Sequence, residues 1–266
     1  MITFFEIYQG IMIALTLSED NYYCIYQSIN RKDYRLVHRS SSKIYNIFPI
    51  DQGHAMFCAD DGWFYTSDAG TTWFRIYCSN LFAPANAPIA SVATILSKPI
   101  GWHIIAYGQD HKLYSLGYSP DVSDSAWSMD LDTTSIWTEK WYPALDGSPV
   151  GLLAGAGKYL LRADLDHSIE WQVINEVNGI IKSVVCSDKS NAPIFAIEVE
   201  KADAETSSIY WSRDMGDSLE PDLSRTWPAT SVQSVYPTGE PERATQFVVF
   251  GRKSPESPLE YNIITK

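Results

Sequence analysis

Alternating hydrophobic and polar residues run along nearly the whole chain, and this pattern predicts β-strands. Runs of aromatic and β-branched residues recur between polar turns, for example Gly62-Trp63-Phe64-Tyr65 and Trp73-Phe74-Arg75-Ile76-Tyr77. Apolar residues at a spacing of about 3.6 positions, which would indicate amphipathic helices, are nearly absent. The sequence therefore predicts an all-β fold.

A polar turn separates these two runs and predicts a β-hairpin. Gly70 can adopt a positive φ at no steric cost, and the Asp68 carboxylate can accept hydrogen bonds from backbone N–H groups one or two residues further on. Trp73, at the start of the next strand, brings a large apolar surface that we expect to pack beneath the turn. Thr66 and Thr72 add hydroxyl groups that can bond within the same loop. We therefore predict a rigid hairpin tip whose polar groups satisfy one another.

The same turn recurs, which indicates an internal repeat. Ser212-Arg213-Asp214-Met215-Gly216-Asp217-Ser218-Leu219 matches it with leucine in place of the final tryptophan. Weaker copies lie at residues 28–34, 119–125 and 164–168. The Asn or Asp that marks each copy falls at residues 30, 68, 121, 164 and 214, giving steps of 38, 53, 43 and 50 residues. Four-stranded propeller blades repeat at about 40–50 residues.

Residues 66–73 match the Asp-box, or BNR repeat, whose pattern is Ser/Thr-x-Asp-x-Gly-x-Thr-Trp. Asp-boxes resemble one another in sialidases and in many unrelated β-propellers, where they lie between the third and fourth strands of a blade. The resemblance implies a propeller and gives the box residues a structural role. These residues are Thr66, Asp68, Gly70, Thr72 and Trp73 in one box, and Ser212, Asp214, Gly216 and Ser218 in the other.

Counting the strand-like runs predicts a single domain, residues 1–266, that is a six-bladed β-propeller with four-stranded antiparallel blades of about 44 residues each. Five or seven blades are the alternatives. The fourth blade is predicted to begin with a strand at Thr133–Trp137. The last three strands end at Ile264, one strand short of a blade. We therefore predict that Ile2–Tyr8 pairs as the outer strand of the last blade, because joining the two ends of the chain removes exposed strand edges.

Sialidases, which share the Asp-box, use three arginines, a Tyr–Glu pair, an acid/base Asp and a Phe/Tyr-Arg-Ile-Pro motif. Phe74-Arg75-Ile76 resembles part of the last motif, but it is followed by Tyr77 and lies after a box. Arg31, Arg35 and Arg39 lie together near one outer turn instead of on several inner strands. We therefore assign no catalytic residue and expect a non-enzymatic protein, with a sialidase-like glycoside hydrolase as the alternative.

Other polar residues do not form a recognisable catalytic or metal site. The carboxylate pairs Asp60-Asp61 and Asp130-Leu131-Asp132 are typical of solvated turns. The five histidines show no metal-ligand spacing, and we predict no metal and no cofactor. Trp137, Trp141 and Tyr142 lie in a longer connection and are the aromatic residues that we expect to be exposed for binding glycans or proteins.

Charge and cysteine content narrow the range of partners. The net charge of −12 and the pI near 4.8 argue against a nucleic-acid partner, since phosphate binding needs clustered Lys and Arg. No apolar run is long enough to span a bilayer, and the N-terminus lacks the basic region of a signal peptide. The four cysteines lie in strand-like segments, so we expect buried free thiols and synthesis in a reducing cytoplasm.

Together these features favour a structural or interaction propeller without catalytic activity. In its acidic, aromatic-rich composition and its cysteine content, the sequence resembles a bacteriophage virion component, such as a tail, nozzle or receptor-binding part. We expect other proteins as its partners, in a symmetric assembly. A glycan-binding lectin and a cytoplasmic assembly factor are the alternative binding roles.

Overall fold

The computed structural model describes residues 2–8, 11–30, 32–51, 53–76, 89–97, 101–108, 110–118, 127–136, 142, 144–148, 150–164, 169–186, 193–201, 206–222, 227–228, 235–237, 246–251 and 260–265. Within these ranges it consists of β-strands and one short 3-10 helix, Thr134–Ile136, without an α-helix. The all-β prediction is confirmed. The same ranges hold no helix with the length and hydropathy needed to cross a membrane.

The strands form six antiparallel sheets, which we call blades 1 to 6, and each blade is built from strands that are consecutive in the chain. Blade 1 contains β1 (Ile2–Tyr8), β2 (Ile11–Leu17), β3 (Tyr23–Ser28) and β4 (Arg35–Ser40). Blade 2 contains β5 (Ile44–Asp51), β6 (His54–Ala59), β7 (Gly62–Thr66) and β8 (Phe74–Ile76). Blade 3 contains β9 (Ile89–Ser97), β10 (Gly101–Gly108), β11 (Lys112–Tyr118) and β12 (Trp127–Asp132).

The second half of the chain continues in the same way. Blade 4 contains β13 (Ala144–Ser148), β14 (Gly151–Ala156), β15 (Tyr159–Asp164) and β16 (Glu170–Glu176). Blade 5 contains β17 (Ile180–Cys186), β18 (Phe195–Glu200), β19 (Thr206–Ser212) and two short outer strands, β20 (Glu220–Pro221) and β21 (Trp227–Pro228), which both pair with β19. Blade 6 contains β22 (Val235–Pro237), β23 (Gln246–Gly251) and β24 (Glu260–Thr265).

The first strand of each blade contacts the first strand of the next blade. These contacts join β1 to β5, β5 to β9, β9 to β13, β13 to β17 and β17 to β22. The first strands are therefore the innermost, and the later strands of each blade lie progressively further out. The six sheets agree with the predicted number of blades.

Apolar side chains from the facing surfaces of neighbouring blades form the core. Ile13 and Ile25 of blade 1 pack with Phe57 of blade 2 in one cluster, and Leu153 of blade 4 packs with Phe195 of blade 5 in another. Alternate residues of a strand point to opposite faces, so each strand can contribute to the core on both sides. Three of the four cysteines are described, and all three are buried, as expected: Cys24, Cys58 and Cys186.

The N-terminal strand does not close the last blade, so that prediction is wrong. β1 pairs with β2, from Ile2 opposite Thr16 to Tyr8 opposite Ile11, and is the innermost strand of blade 1. Only two residues separate β1 from β2, and such a short connection favours a hairpin over pairing with a strand at the far end of the chain. Three strands therefore precede the polar turn in blades 1, 2 and 5.

The predicted strand at Thr133–Trp137 is also wrong. Thr134–Ile136 forms the 3-10 helix, and the Asp132 carboxylate accepts hydrogen bonds from the Thr134 N–H (3.0 Å) and hydroxyl (2.6 Å). These bonds cap the short helix and end β12. The inner strand of blade 4 is β13 instead, which is buried although its Asp and Gly give it a weak strand pattern.

Candidate functional site

The Asp68 turn, residues 66–73, joins the third and fourth strands of blade 2. The Asp68 carboxylate accepts hydrogen bonds from the Thr72 N–H (2.9 Å), the Thr72 hydroxyl (2.7 Å) and the Thr66 hydroxyl (2.8 Å). Its backbone donor is thus four residues away and not one or two as expected. The Thr66 oxygen in turn accepts from the Gly70 N–H at 2.9 Å. The turn is consequently held by a closed set of internal hydrogen bonds.

The Asp214 turn, residues 212–219, has the same geometry between β19 and β20 of blade 5. The Asp214 carboxylate accepts from the Ser218 N–H (2.9 Å) and hydroxyl (2.5 Å) and from the Ser212 hydroxyl (2.9 Å). Gly216 has a φ of 88°, against 83° for Gly70 in the first turn. The final leucine therefore leaves the turn unchanged, because the aromatic residue takes no part in these bonds.

Both turn carboxylates are stabilised in the charged form. Burial opposes the charge of Asp68, but the hydrogen bonds from Thr72 and Thr66 outweigh it, so the pKa of this carboxyl lies below its ordinary value. The pKa of Asp214 is lowered in the same way, by Ser218 and Ser212 acting against burial. Each turn therefore loses hydrogen-bond strength when its carboxylate is protonated.

Each of these turns also docks against the preceding blade, which the sequence did not reveal. In the Asp68 turn, Gln27 of β3 donates to the Ala69 carbonyl (2.7 Å) and Arg35 of β4 donates to the Thr71 hydroxyl (3.2 Å). A Cβ atom at Gly70 would lie 2.2 Å from the Ile13 Cδ1 atom of blade 1. The turn of blade 2 is thus fixed to blade 1.

The Asp214 turn makes the corresponding contacts with blade 4. Asn175 of β16 donates to the Gly216 carbonyl (3.3 Å), and Arg162 of β15 donates to the Asp217 carboxylate (2.8 Å). A Cβ atom at Gly216 would lie 2.5 Å from the Ile174 Cδ1 atom. Glycine at this position therefore serves both the backbone conformation and the junction between blades.

The Asn30 turn, residues 28–34 of blade 1, departs from this pattern. Asn30 replaces the aspartate, and its side-chain oxygen accepts from the N–H groups of Lys32 and Asp33, both at 2.9 Å. Lys32 occupies the position of the glycine and is exposed. Ile29 is 73% exposed and Tyr34 is 37% exposed, and Leu36, close by in β4, is 49% exposed. The turn therefore presents apolar side chains to solvent.

The arginines considered for catalysis serve other contacts on outer strands and turns. Arg75 lies in β8, the outermost strand of blade 2, and donates to the Asp61 carbonyl. Arg35 donates to the Gln27 side chain (2.6 Å), and the Arg39 guanidinium lies 3.9 Å from the centre of the Tyr22 ring. Arg31 lies outside the described residues. The described arginines do not converge on one point.

The two carboxylate pairs differ from each other. Asp60-Asp61 forms the turn between β6 and β7, as predicted, and Asp60 accepts a hydrogen bond from Tyr45 (2.5 Å). Asp130 lies within β12 instead, where it accepts from the Ser115 hydroxyl (2.7 Å), and Asp132 ends that strand. Both pairs therefore have local structural partners.

Tyr142 belongs to a buried polar cluster between blades 4 and 5. Its hydroxyl donates to Glu200 (2.6 Å), and the Lys182 ammonium lies 5.5 Å from the centre of its ring and 3.7 Å from the Glu198 carboxylate. Glu198 and Glu200 are 2% and 3% exposed. Trp137 and Trp141, the other predicted binding aromatics, lie outside the described residues. Tyr142 thus has an internal partner in a cluster that sequence reasoning missed.

Burial has the largest effect on the pKa of Glu198 in this cluster. It raises the pKa of Glu198 to about 7, although the attraction of Lys182 opposes the shift, and the nearby Glu200 adds to it. Within the described part of the chain, no three His, Cys, Asp or Glu side chains come together as a metal site would require. The cluster thus contains two buried carboxyls, with the Lys182 ammonium near Glu198 and the Tyr142 hydroxyl on Glu200.

Comparisons with known proteins identify the fold but not a family. No family model matches the sequence, and no curated protein matches it. Among solved structures, YCF48 from Cyanidioschyzon merolae aligns with a TM-score of 0.55 at 9% identity, over 98% of this chain and 83% of its own. The WD40 domain of SCAP from fission yeast aligns with a TM-score of 0.50 at 11% identity, over 97% and 74%. WD40 repeats build propeller blades. The fold is a β-propeller.

A third propeller of this group carries a bound segment. Sqt1 from Chaetomium thermophilum, solved with the N-terminus of the ribosomal protein L10, aligns with a TM-score of 0.54 at 13% identity, over 91% of this chain and 68% of its own. At such low sequence identities, these structural alignments establish the propeller fold alone. Since no family model matches, the assignment of the two turns to the Asp-box stays a prediction.

The described polar features lie at opposite ends of the propeller blades. The Asp68 and Asp214 turns connect the end of a third strand to a fourth strand. Glu200 lies at the end of a second strand and opposite Ile180 at the start of a first strand. Because neighbouring strands are antiparallel, this places Glu200 at the other end of the blade. One end of the propeller thus carries the turns that join blades, and the other carries the buried carboxyls.

Proposed function

We propose that this chain is a non-enzymatic β-propeller that binds another protein. The observation that carries the proposal is the group of exposed apolar side chains at one corner of blade 1, namely Ile29, Tyr34 and Leu36. Neighbouring exposed apolar residues on a soluble protein mark interaction sites more often than isolated ones do.

The charged groups of the described chain support a binding role. The arginines and the buried carboxyls hold turns and blades together through the contacts given above, and a catalytic group would need to face a substrate. The complex of Sqt1 with the N-terminus of ribosomal protein L10 illustrates a propeller that holds a segment of another protein. We propose a protein partner for the present chain by the same principle.

We propose further that the protein is a bacteriophage virion component, such as a tail, nozzle or receptor-binding part. Three buried cysteines suit synthesis in a reducing compartment, and the acidic composition disfavours nucleic acid as the partner. A glycan on a host surface is a second ligand that such a part could take. The gene neighbourhood tests this role, since virion genes on both sides would support it and metabolic genes would count against it.

The binding proposal is tested by co-expressing the chain with the products of its neighbouring genes and separating the complexes by size-exclusion chromatography. We expect a stoichiometric complex with one of them, and a paired change of Ile29→Asp and Leu36→Asp should abolish it. Leu17→Asp is the matched control, because Leu17 is 45% exposed and lies at the other end of its blade. A complex that still forms after the paired change would show that this corner is not part of the interface.

A further inference from the structure

The hairpin of β3 and β4 in blade 1 carries cations beside exposed apolar side chains. β3 and β4 pair up to Arg35, so the Asn30 turn and the first residues of β4 form one hairpin tip, which we call the blade 1 tip. Ile29 in the turn and Leu36 in β4 are exposed apolar residues. Lys32 in the turn and Arg35 are exposed as well. The tip therefore brings apolar and positively charged groups to one corner of the blade.

The two cations lack an acidic partner within the described part of the chain. Arg35 donates to neutral acceptors, namely the Gln27 side-chain oxygen (2.9 and 2.6 Å) and the Thr71 hydroxyl (3.2 Å). Lys32 forms no ion pair with a described carboxylate. Asp33, the acidic residue of the same turn, accepts a hydrogen bond from the asparagine of the turn (2.7 Å). The two positive charges are thus available to a partner.

Several cations elsewhere on the protein show the opposite arrangement. Each lies within 4.0 Å of a carboxylate: Arg39 with Asp20, Lys112 with Asp132, Lys158 with Glu176, Arg162 with Asp217, Lys182 with Glu198, and Arg213 with Glu220. The net charge of −12 means that an unpaired cation does not result from a shortage of carboxylates. Unpaired cations next to exposed apolar side chains therefore favour an acidic partner, since interfaces match opposite charges.

The Arg35 side chain is already held in place for such a contact. A guanidinium has five N–H donors in a planar fork. The Gln27 and Thr71 oxygens accept from the Nε and Nη2 atoms, whereas the Nη1 atom has no acceptor among the described residues. Its N–H groups can therefore donate to a carboxylate. Because the fork is already fixed, little side-chain freedom is lost when the carboxylate binds.

We propose that the blade 1 tip binds an acidic segment of the partner protein, whose carboxylates meet Lys32 and Arg35 and whose apolar side chains cover Ile29 and Leu36. This inference rests on the proposed binding function and specifies the chemistry of the partner. Successive residues of a strand point to opposite faces, so the segment crosses the edge of β4 between Arg35 and Leu36. Repulsion from the acidic remainder of the chain is screened beyond about 8 Å at physiological ionic strength, whereas the close contacts at the tip are not.

The probe is a labelled synthetic peptide, Asp-Leu-Asp-Phe-Asp-Leu-Asp, added to the full chain. We expect saturable binding by fluorescence anisotropy and slower amide hydrogen exchange in residues 28–36. Binding should weaken as the ionic strength is raised from about 0.05 to about 0.5 M. Lys32→Glu should weaken binding by about tenfold or more, whereas Lys201→Glu should leave it within about twofold. Lys201 is the matched control because it is exposed, makes the same change in net charge and follows β18 at the other end of its blade.

Two further peptides separate charge pairing from simple hydrophobic contact. In one, asparagine replaces every aspartate, and we expect it to bind at least about tenfold more weakly. In the other, lysine replaces every aspartate, and we expect no binding at the tip. Equal binding of the aspartate and asparagine peptides would overturn the proposal. No saturable binding of the aspartate peptide at millimolar concentration, or equal effects of Lys32→Glu and Lys201→Glu, would also overturn it.

A second copy of the chain is the competing occupant of the blade 1 tip. A concentration-dependent dimer that Lys32→Glu abolishes would overturn the proposal of a separate partner. Size-exclusion chromatography of the unchanged protein and of this variant, over a range of concentrations, measures the outcome. We expect both to elute as monomers.

Failure of this proposal is distinguishable from failure of the binding function. A complex with a neighbouring gene product that is lost on the paired change of Ile29 and Leu36, but is insensitive to Lys32→Glu and to salt, would refute the acidic segment alone. The binding function would stand in that case.

Discussion

Asp68 and Gly216 show that some residues of these turns act within their own turn and others act at the junction between blades. Asp68 bonds within its own turn, whereas Gly216 matters because the preceding blade leaves no room for a side chain. The first role could be predicted from the sequence, since Asp, Gly and hydroxyl residues at this spacing are turn formers. The second could not, because Ile174 and Leu160 are far from Gly216 in the sequence.

Gly216→Ala should destabilise the protein more than Gly53→Ala. Both glycines have a φ near +90°, at 88° and 91°, so the backbone strain is shared. A Cβ atom at Gly216 would lie 2.5 Å from Ile174 and 2.9 Å from Leu160, whereas at Gly53 the nearest atom is 3.4 Å away. Overpacking should add about 1–3 kcal/mol to the loss of unfolding free energy at Gly216. Chemical denaturation of the two variants measures this difference. Equal losses for the two variants would mean that the blades shift apart freely.

Asp68→Ala should lower the free energy of unfolding by about 1–2 kcal/mol, because the Thr72 N–H loses its acceptor. The lowered pKa of Asp68 gives the sign of the pH effect. Its stabilisation is present above the pKa of the unfolded state and is lost as the pH falls through the folded pKa. As the pH is lowered from 6 to 2, the melting temperature should therefore fall less steeply for the variant than for the unchanged protein. An affinity for the co-expressed partner that drops in the folded variant would show instead that the turn is a recognition element.

At the scale of elements, strands β1 and β18 differ most from what the sequence indicated. The sequence predicted that β1 pairs with a strand of the last blade, but β1 forms a hairpin with β2, which follows it directly in the chain. β18 is buried over all six residues, so that Glu198 and Glu200 are enclosed although glutamate is typical of surfaces. Local patterns place strands well, whereas pairing partners and buried charges depend on contacts between distant residues.

The Glu198 cluster predicts a stability that falls as the pH rises. Its folded pKa of about 7 exceeds the ordinary 4.5, so folding favours the protonated carboxyl. The stabilisation is complete below pH 4.5 and is lost as the pH rises through 7, by about 3 kcal/mol in total. Glu198→Gln, which is neutral at every pH, should remove this slope in denaturant titrations between pH 5 and 8. Glu19→Gln is the exposed control and should leave the slope intact.

Removing residues 1–8 should destabilise blade 1 and promote aggregation. The deletion takes away the innermost strand, which pairs with β2 and contacts β5. Hydrogen exchange should rise first in β2 if the protein stays folded, because β2 becomes an edge strand. A truncated protein that loses protection in β24 while β2 stays protected would restore the closure that the pairing of β1 argues against.

At the scale of the whole molecule, the repeat spacing was enough to predict the propeller. The turns marked by residues 30, 68 and 214 fall between the third and fourth strands of blades 1, 2 and 5, whereas residues 119–125 and 165–168 of the two weaker copies lie outside the described residues. The junctions between blades and the contacts of Tyr142 could not be predicted, since they join side chains from different blades. The candidate site at the Asn30 turn was visible in the sequence only as an eroded repeat.

A panel of fluorogenic sialosides and β-glycosides should show no turnover above a buffer control. The reason lies in the arrangement of the arginines, since Arg75 bonds a carbonyl on an outer strand and Arg35 bonds a glutamine and a neighbouring turn. A sialidase needs three arginines that converge on one carboxylate. Turnover that disappears in Arg75→Ala would replace the binding function with a sialidase-like hydrolase.

The docking of each turn on the blade before it has a consequence for synthesis on the ribosome. Because every blade is made of consecutive strands, blade 1 can pair its hairpins as soon as its residues emerge, before blade 2 exists. The Asp68 turn emerges later and brings contacts to Ile13, Gln27 and Arg35 of the blade already made. The Asp214 turn does the same for blade 4. At these two junctions, the nascent chain thus stabilises its earlier part each time a later turn leaves the exit tunnel.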